Sequence, residues 1–141
     1  MDMNAAYSSR LTSHRDVTAK MDSLQTVIVE AVEMVVDTFR QGNKLLLAGN
    51  GGSAADAQHW AAEWIIRLSA DLNRPSMPAI ALTTDSSILT AGANDLGYEQ
   101  IFARQIEGLG NRGDLFITIS TSGNSTNLLK ACEAAHANGL R

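Results

Sequence analysis

The sequence predicts an α/β fold, a three-layer sandwich in which a parallel sheet lies between layers of helices. Three short apolar runs, at residues 44–48, 78–82 and 114–120, are too brief for helices and are typical of strands covered on both faces. Segments with apolar residues at spacings of three and four alternate with these runs, as amphipathic helices do. Strands alternating with helices favour a parallel sheet joined by right-handed crossovers.

Helices are predicted before the first strand and after each strand. A regular helix is expected over 22–39, and Gly42 ends it. A less regular helix precedes it, and the apolar face of that helix carries Tyr7, Leu11, Val17 and Met21. The remaining predicted helices, the last capped by Gly139, cover 54–70, 86–93, 98–109 and 126–138.

We expect a single domain over residues 1–141, with N-terminal helices at about 3–41 and a sheet-containing part from 44 to 141. Three strands make a narrow sheet, and the sequence stops where a fourth strand is expected to begin. We therefore expect further C-terminal strands and a helix of this fold to be missing.

Composition argues against several classes of partner. There are 11 Lys and Arg residues against 15 Asp and Glu, and no basic cluster marks a nucleic-acid or anionic membrane surface. No basic leader or apolar stretch of about 18 residues is present, so a cytoplasmic protein is expected. Cys132, the only cysteine, excludes an internal disulfide and a thiolate zinc cluster, and we interpret it as a packed helix residue.

A glycine-rich turn follows the first predicted strand. Gly49, Gly51 and Gly52 permit close backbone approach, so the backbone N–H groups and Ser53 are suited to bind a phosphate at a helix N-terminus. The Lys-Ser/Thr pair of a P-loop is absent. The glycines, with an alanine at position 54, also fit a relaxed dinucleotide pattern, which leaves an oxidoreductase as an alternative.

The dinucleotide alternative requires an acidic residue at the end of the next strand, about 20 positions on, to bind a ribose. The second strand leads instead into Thr83 and Thr84, and Asp85 comes late.

A hydroxyl-rich turn follows the third predicted strand. It places Ser120, Thr121, Ser122 and Ser125 around Gly123, just before a helix N-terminus. This arrangement favours a phosphomonoester, because hydroxyl donors and the positive end of the helix dipole meet there. The alternative is that one of these residues only caps the helix.

A polar stripe is predicted on the helix that begins near residue 54. Asp56, His59, Glu63 and Arg67 share one face of it. His59 and Glu63, four residues apart, are suited to bind one cation together, or Glu63 to accept a proton; the alternative is a surface pair. Further along, Asn94 and Asp95 are expected either to cap the next helix or to contact a sugar hydroxyl.

Several motifs together resemble the sugar-isomerase (SIS) superfamily, and within it the phosphoheptose isomerases. They are LAGNGGSAADAQHWAAEW, RPSMPAIALTTD, ANDLGYEQIFARQIEGLG and ISTSGNSTNLLKA, within a similarity that runs from about residue 24 to 141. The resemblance implies a flavodoxin-like parallel sheet and an isomerase that interconverts sedoheptulose 7-phosphate and D-glycero-D-manno-heptose 7-phosphate in lipopolysaccharide precursor synthesis. It also implies a homotetramer whose sites form at subunit junctions.

The resemblance also implies the residues of the site. Glu63 would transfer the proton, His59 and Glu63 would bind one zinc ion per subunit, and Arg67 would be a supporting charge. The residues implied to bind the sugar phosphate are Asn50, Gly51, Gly52, Ser53, Asn94, Asp95, Ser120, Thr121, Ser122 and Ser125.

A later glutamine and histidine, which complete the metal site in the family, are not in this sequence. We therefore expect weak metal binding and little isomerase activity from these 141 residues. The alternative function is a non-catalytic SIS-domain protein, either a factor that binds the replication initiator or a sugar-phosphate sensor. Such proteins need no base on the helix, so Glu63 favours the enzyme.

Overall fold

The computed structural model describes residues 2–141 as two compact units. One unit ends at Met34 and the other spans Val35–Arg141. Within residues 2–141, no helix has both the length and the apolar character that crossing a membrane would require.

The first unit is helical and has few covered side chains. Helix α1, Met3–Ala19, begins at Asp2, whose carboxylate accepts hydrogen bonds from the backbone N–H groups of Asn4 and Ala5. A 3₁₀ turn, Met21–Leu24, leads into α2, Gln25–Arg40, whose residues from Val35 onward belong to the second unit. The second helix thus begins three residues later than predicted. It ends as predicted, because Gly42 has a φ of +77° and turns the chain.

The second unit contains a three-stranded parallel sheet in the order β2-β1-β3, which confirms the predicted fold class. The strands are β1, Leu45–Gly49; β2, Ala79–Ala81; and β3, Leu115–Ile119. Four helices follow the strands: α3, Gly52–Ile65; α4, Ser86–Leu96; α5, Ile101–Leu109; and α6, Thr126–Ala137. A 3₁₀ turn, Tyr98–Gln100, separates α4 from α5.

Apolar cores lie on both faces of the central strand. Leu46 and Ala48 of β1 belong to the core that contains residues of α5 and α6, such as Phe102 and Leu128. The alternate residues of β1 face the other core, with Ala57 and Ala61 of α3. Because side chains alternate along a strand, a continuously apolar run fills both cores at once, as expected for a sheet between two helical layers.

A buried ion pair fixes the start of β1 against the start of β3. Asp114 is almost fully buried, and its carboxylate accepts hydrogen bonds from the backbone N–H and the ammonium of Lys44, at 3.0 and 2.5 Å. The same carboxylate accepts the N–H of Asn111. This pairing sets the register in which Leu45 lies opposite Leu115. Because the two strands end opposite each other, the turns that follow them lie side by side.

Candidate active site

The turn after β1 is tight because the backbone of α3 passes directly over Gly49. A Cβ atom at this position would lie 2.4 Å from the carbonyl oxygen of Ser53, so only glycine fits there. Gly51 has a φ of +56°, in the region that favours glycine, and precedes the first residue of α3. The predicted strand-turn-helix is therefore present, and α3 begins two residues earlier than expected.

The turn after β3 is held by its own hydroxyl groups. Ser120 Oγ accepts the backbone N–H of Gly123 at 3.1 Å, and Ser122 Oγ accepts that of Asn124 at 3.2 Å. Thr121 is exposed, and Ser125 stands at the N-cap position of α6. Hydroxyl groups thus surround the N-terminus of α6, as predicted from the sequence.

The N-termini of α3 and α6 differ from those of α1 and α4 in one respect. At α1 and α4 an aspartate, Asp2 or Asp85, accepts backbone N–H groups of the first turn. At α3 and α6, as at α5, the N-cap residue makes no side-chain cap hydrogen bond; at α3 it is Gly51, which has no side chain to supply one, and at α6 it is Ser125. Ser125 therefore does not act as a side-chain cap here, which leaves its hydroxyl and the first N–H groups of α6 suited to an anionic ligand.

The position of Asp85 argues against the dinucleotide-binding alternative. Its Oδ1 accepts the N–H of Ile88 at 2.9 Å, so the acidic residue that follows β2 caps α4. The pattern that binds a ribose requires an acidic side chain whose oxygens face the ligand. Its capping role therefore makes Asp85 a poor substitute for that residue.

A pair of side-chain amides joins the two turns. Asn50 Nδ2 donates to Asn127 Oδ1 at 3.0 Å, and Asn127 Nδ2 donates back to Asn50 Oδ1 at 2.8 Å. The hydroxyl of Tyr98 donates to the same Asn50 oxygen at 3.1 Å. These three residues, with Ser125 and Lys130, line a cavity of about 510 Å³. Asn127 and Tyr98 were not predicted from the sequence.

Glu63 lies on α3 with part of its carboxylate buried. Its Oε1 is 3.4 Å from His59 Nε2, while Oε2 is buried and has no hydrogen-bond partner among residues 2–141. Imidazole nitrogen and carboxylate oxygen are donors that zinc takes, so the pair fits part of a zinc site. No third His, Cys, Asp or Glu joins them to form a metal-binding group in the described part of the chain.

Arg74 ends α3 five residues earlier than predicted. Its guanidinium donates to the backbone carbonyls of Glu63 and Trp64, at 2.5 and 2.8 Å, and lies over the Trp64 ring. These carbonyls would otherwise accept N–H groups of a further helical turn, so the helix stops at Ile65. Arg67 consequently lies outside the helix and is exposed, and the predicted stripe from Asp56 to Arg67 is wrong at its last residue.

Asn94 and Asp95 lie inside the last turn of α4, not at the start of the next helix. The predicted capping of that helix is therefore wrong, because α4 continues to Leu96 and Gly97, with a φ of +93°, then breaks the helix. The two side chains bond to each other, Asn94 Nδ2 to Asp95 Oδ1 at 2.7 Å.

Within one chain, the predicted site residues are divided among separate cavities. Asn50 and Ser125 line the cavity of about 510 Å³. Glu63 lines a smaller one of about 160 Å³ with aromatic and aliphatic neighbours and Arg74, and Asp95 lines a third. The sequence patterns placed both turns correctly, but no local pattern indicated this division.

Cys132 is half-buried on α6. Burial, followed by the neighbouring charge of Glu133, raises the pKa of its thiol. Such a thiol is a weaker nucleophile at neutral pH, which agrees with the packed residue predicted from the sequence.

The three-stranded parallel sheet with helices on both faces places the chain among the α/β domains. The sequence profile of the SIS domain matches residues 11–141, and the chain belongs to the SIS domain family. The strand order and the two turns agree with this assignment.

Similar proteins share one name. A phosphoheptose isomerase of Chlorobaculum tepidum is 55% identical over 135 residues, which are 96% of this chain and 62% of the relative. A solved phosphoheptose isomerase from Neisseria gonorrhoeae matches with a TM-score of 0.88 and 38% identity, covering 99% of this chain and 72% of that one. A third, from Francisella tularensis, has a TM-score of 0.91 and 35% identity, covering 100% and 73%. The chain spans about three fifths of the length of the curated relatives from Chlorobaculum.

Proposed function

We propose that the chain functions as a phosphoheptose isomerase. Such an enzyme interconverts sedoheptulose 7-phosphate and D-glycero-D-manno-heptose 7-phosphate in the synthesis of lipopolysaccharide precursors. The observation that carries this proposal is the 55% identity, over 96% of the chain, to a relative named phosphoheptose isomerase. The geometry supports it, because two uncapped helix N-termini and a half-buried carboxylate supply what a sugar-phosphate isomerase requires.

The phosphate binds at the hydroxyl-rich turn. Ser120, Thr121, Ser122 and Ser125 donate to its oxygens, and the N-terminus of α6 supplies a favourable dipole. Asn50, Gly51, Gly52 and Ser53 line the sugar, with Asn94, Asp95 and Arg67 as further contacts. The phosphate takes no part in bond breaking, so its binding energy serves to hold the reacting carbons in place.

Glu63 removes the carbon-bound proton. Moving a carbonyl group to the adjacent carbon requires a base and stabilisation of an enediolate. The carboxylate suits this role because Oε2 is buried and has no partner among residues 2–141, so that oxygen is free to accept a proton. His59, 3.4 Å away, orients it.

We further propose that His59 and Glu63 hold a zinc ion, together with ligands from outside these residues. When bound, zinc supplies Lewis-acid polarisation of the substrate oxygens.

The protein acts as a homotetramer in the cytoplasm. Two observations support self-association: Glu63 and the hydroxyl-rich turn line different cavities of one chain, and apolar side chains of the first unit are exposed. Val27 and Val32, for example, are 63% and 55% exposed. A neighbouring subunit would bring a second copy of Glu63 to the phosphate-binding turn. A phosphorylated sugar does not cross membranes unaided, which favours the cytoplasm.

The test measures turnover of sedoheptulose 7-phosphate. The assay uses the chain alone and the chain fused to the part of the Chlorobaculum tepidum relative that it does not cover, each with and without zinc. We expect turnover by the fusion and at least a hundredfold loss in Glu63→Gln, about the contribution of a general base. Asp56→Asn, an exposed carboxylate on the same helix, is the matched control and should retain turnover. Full activity of Glu63→Gln would refute the role of Glu63, and an inactive fusion that folds would refute the proposed reaction.

A further inference from the structure

We infer that Asn127 is a positioning residue for sugar-phosphate binding, acting through Asn50. This inference rests on the proposed function and adds to it a residue that the sequence motifs did not single out. Asn127 lies in the first turn of α6 and is only 4% exposed, whereas Asn50 directly follows β1 and lines the cavity. The two residues are 77 positions apart in the sequence.

The amide pair fixes the orientation of Asn50. A carboxamide carries one carbonyl oxygen and two N–H donors, and its two ends are nearly the same in shape. Asn127 donates to the oxygen of Asn50 at 2.8 Å and accepts one of its N–H groups at 3.0 Å. Rotating the Asn50 amide alone would place two oxygens and two NH₂ groups against each other, so the orientation of Asn127 determines that of Asn50.

The consequence is a defined hydrogen-bonding polarity toward the ligand. The Asn50 oxygen already accepts from both Asn127 and the Tyr98 hydroxyl, which lies 3.1 Å away. One amide N–H of Asn50 has no acceptor among residues 2–141, and it belongs to a residue that lines the cavity. Asn50 therefore acts there as a donor and recognises an oxygen of the sugar phosphate that accepts a hydrogen bond.

The pair also couples the two ligand-binding turns. Asn50 belongs to the turn that starts α3, and Asn127 to the helix start that follows the hydroxyl-rich turn. A buried polar pair is stabilising only while both partners are present, because an unpaired buried amide costs free energy. An aliphatic residue at 127 would fill the same space without this dependence on Asn50. The pair thus ties the position of one turn to that of the other.

The experiment is a double-mutant cycle on the affinity for sedoheptulose 7-phosphate, measured by calorimetric titration of the full 141-residue chain. The variants are Asn127→Leu, which is neutral and similar in shape, Asn50→Ala, and both together. We expect each single variant to weaken binding about tenfold, and the double variant to bind no more weakly than Asn50→Ala alone. A merely structural role of Asn127 would instead weaken binding again in the Asn50→Ala background.

Two further variants make the cycle decisive. Asn138, at the C-terminal end of α6, donates a comparable amide hydrogen bond to the carbonyl of Ile106 in α5. Asn138→Leu removes this bond and should bind sedoheptulose 7-phosphate as tightly as the wild type does. Should Asn127→Leu fail to fold, Tyr98→Phe decides, since it removes one donor to Asn50 from an exposed position. We expect it to weaken binding about threefold, and only while Asn50 is present.

The possible failures are distinguishable. Additive effects in the cycle, or wild-type affinity in folded Asn127→Leu, would overturn the inference while leaving the proposed function intact. A Tyr98→Phe effect that persists without Asn50 would overturn it in the same way. Absence of any binding by the folded wild-type chain would instead remove the substrate-binding part of the proposed function, and this inference with it.

Discussion

Replacement of Ser125 by alanine separates ligand binding from helix capping. Ser125 occupies the N-cap position of α6, where a serine commonly contributes about 1 kcal/mol by accepting a backbone N–H. In this structure its side chain makes no such bond. We therefore expect Ser125→Ala to change the free energy of unfolding by less than about 0.5 kcal/mol, as for an ordinary surface position.

The expected effect on affinity is much larger. A hydrogen bond to a charged group contributes about 1.5–3 kcal/mol, which corresponds to a loss of about 10- to 100-fold in affinity for the phosphorylated sugar. Sedoheptulose without its phosphate should bind equally weakly to both proteins. The difference arises because the lost hydroxyl group serves the phosphate alone.

Asp85→Ala is the matched control. Asp85 caps α4 with a hydrogen bond of 2.9 Å to the N–H of Ile88, so its loss should cost about 1 kcal/mol of stability and leave affinity unchanged. Urea unfolding and calorimetric titration with sedoheptulose 7-phosphate measure the two quantities for each variant. If Ser125→Ala loses stability and keeps its affinity, the hydroxyl caps the helix and the assignment to phosphate is refuted.

Three further predictions concern the framework of the site. Arg74→Met should lower the free energy of unfolding by about 2–3 kcal/mol in urea titrations, since two carbonyls of α3 lose a charged donor. Arg67→Met is the control and should change the free energy of unfolding little, because the contact of Arg67 to the Ala70 carbonyl is 3.5 Å long. Gly49→Ala should destabilise the chain by about 1–3 kcal/mol, because its Cβ atom would strike the Ser53 carbonyl, and equal stability would contradict the described turn. Cys132 should react with iodoacetamide more slowly than free cysteine at pH 8, as followed by mass spectrometry, because its raised pKa leaves less thiolate; faster reaction would contradict this.

Local patterns predicted the fold and the two turns because their causes are local. The continuous apolar run of β1 is needed by a strand that fills two cores, and it is visible in any short window of the sequence. Gly42 ends α2 through its own backbone conformation. The concentration of hydroxyl groups before α6 is likewise a property of consecutive residues.

The errors arose where distant residues decide the outcome. Helix α3 ends at Ile65 because Arg74, beyond an irregular segment, takes its last carbonyls, and no pattern within the helix carries that information. The pairing of Asn50 with Asn127 spans 77 positions and left no periodic signal. The cavity beside Glu63 is lined partly by Leu68, Leu72 and Arg74 from beyond α3, so the sequence predicted the carboxylate but not its environment.

Binding of one sugar phosphate by both turns is tested by a map of backbone amide chemical shifts during titration of the chain with sedoheptulose 7-phosphate. We expect the amides of 51–53 and those of 123–127 to shift together, with one common affinity, because both turns contact one ligand. Shifts confined to one turn, or two different affinities, would contradict it.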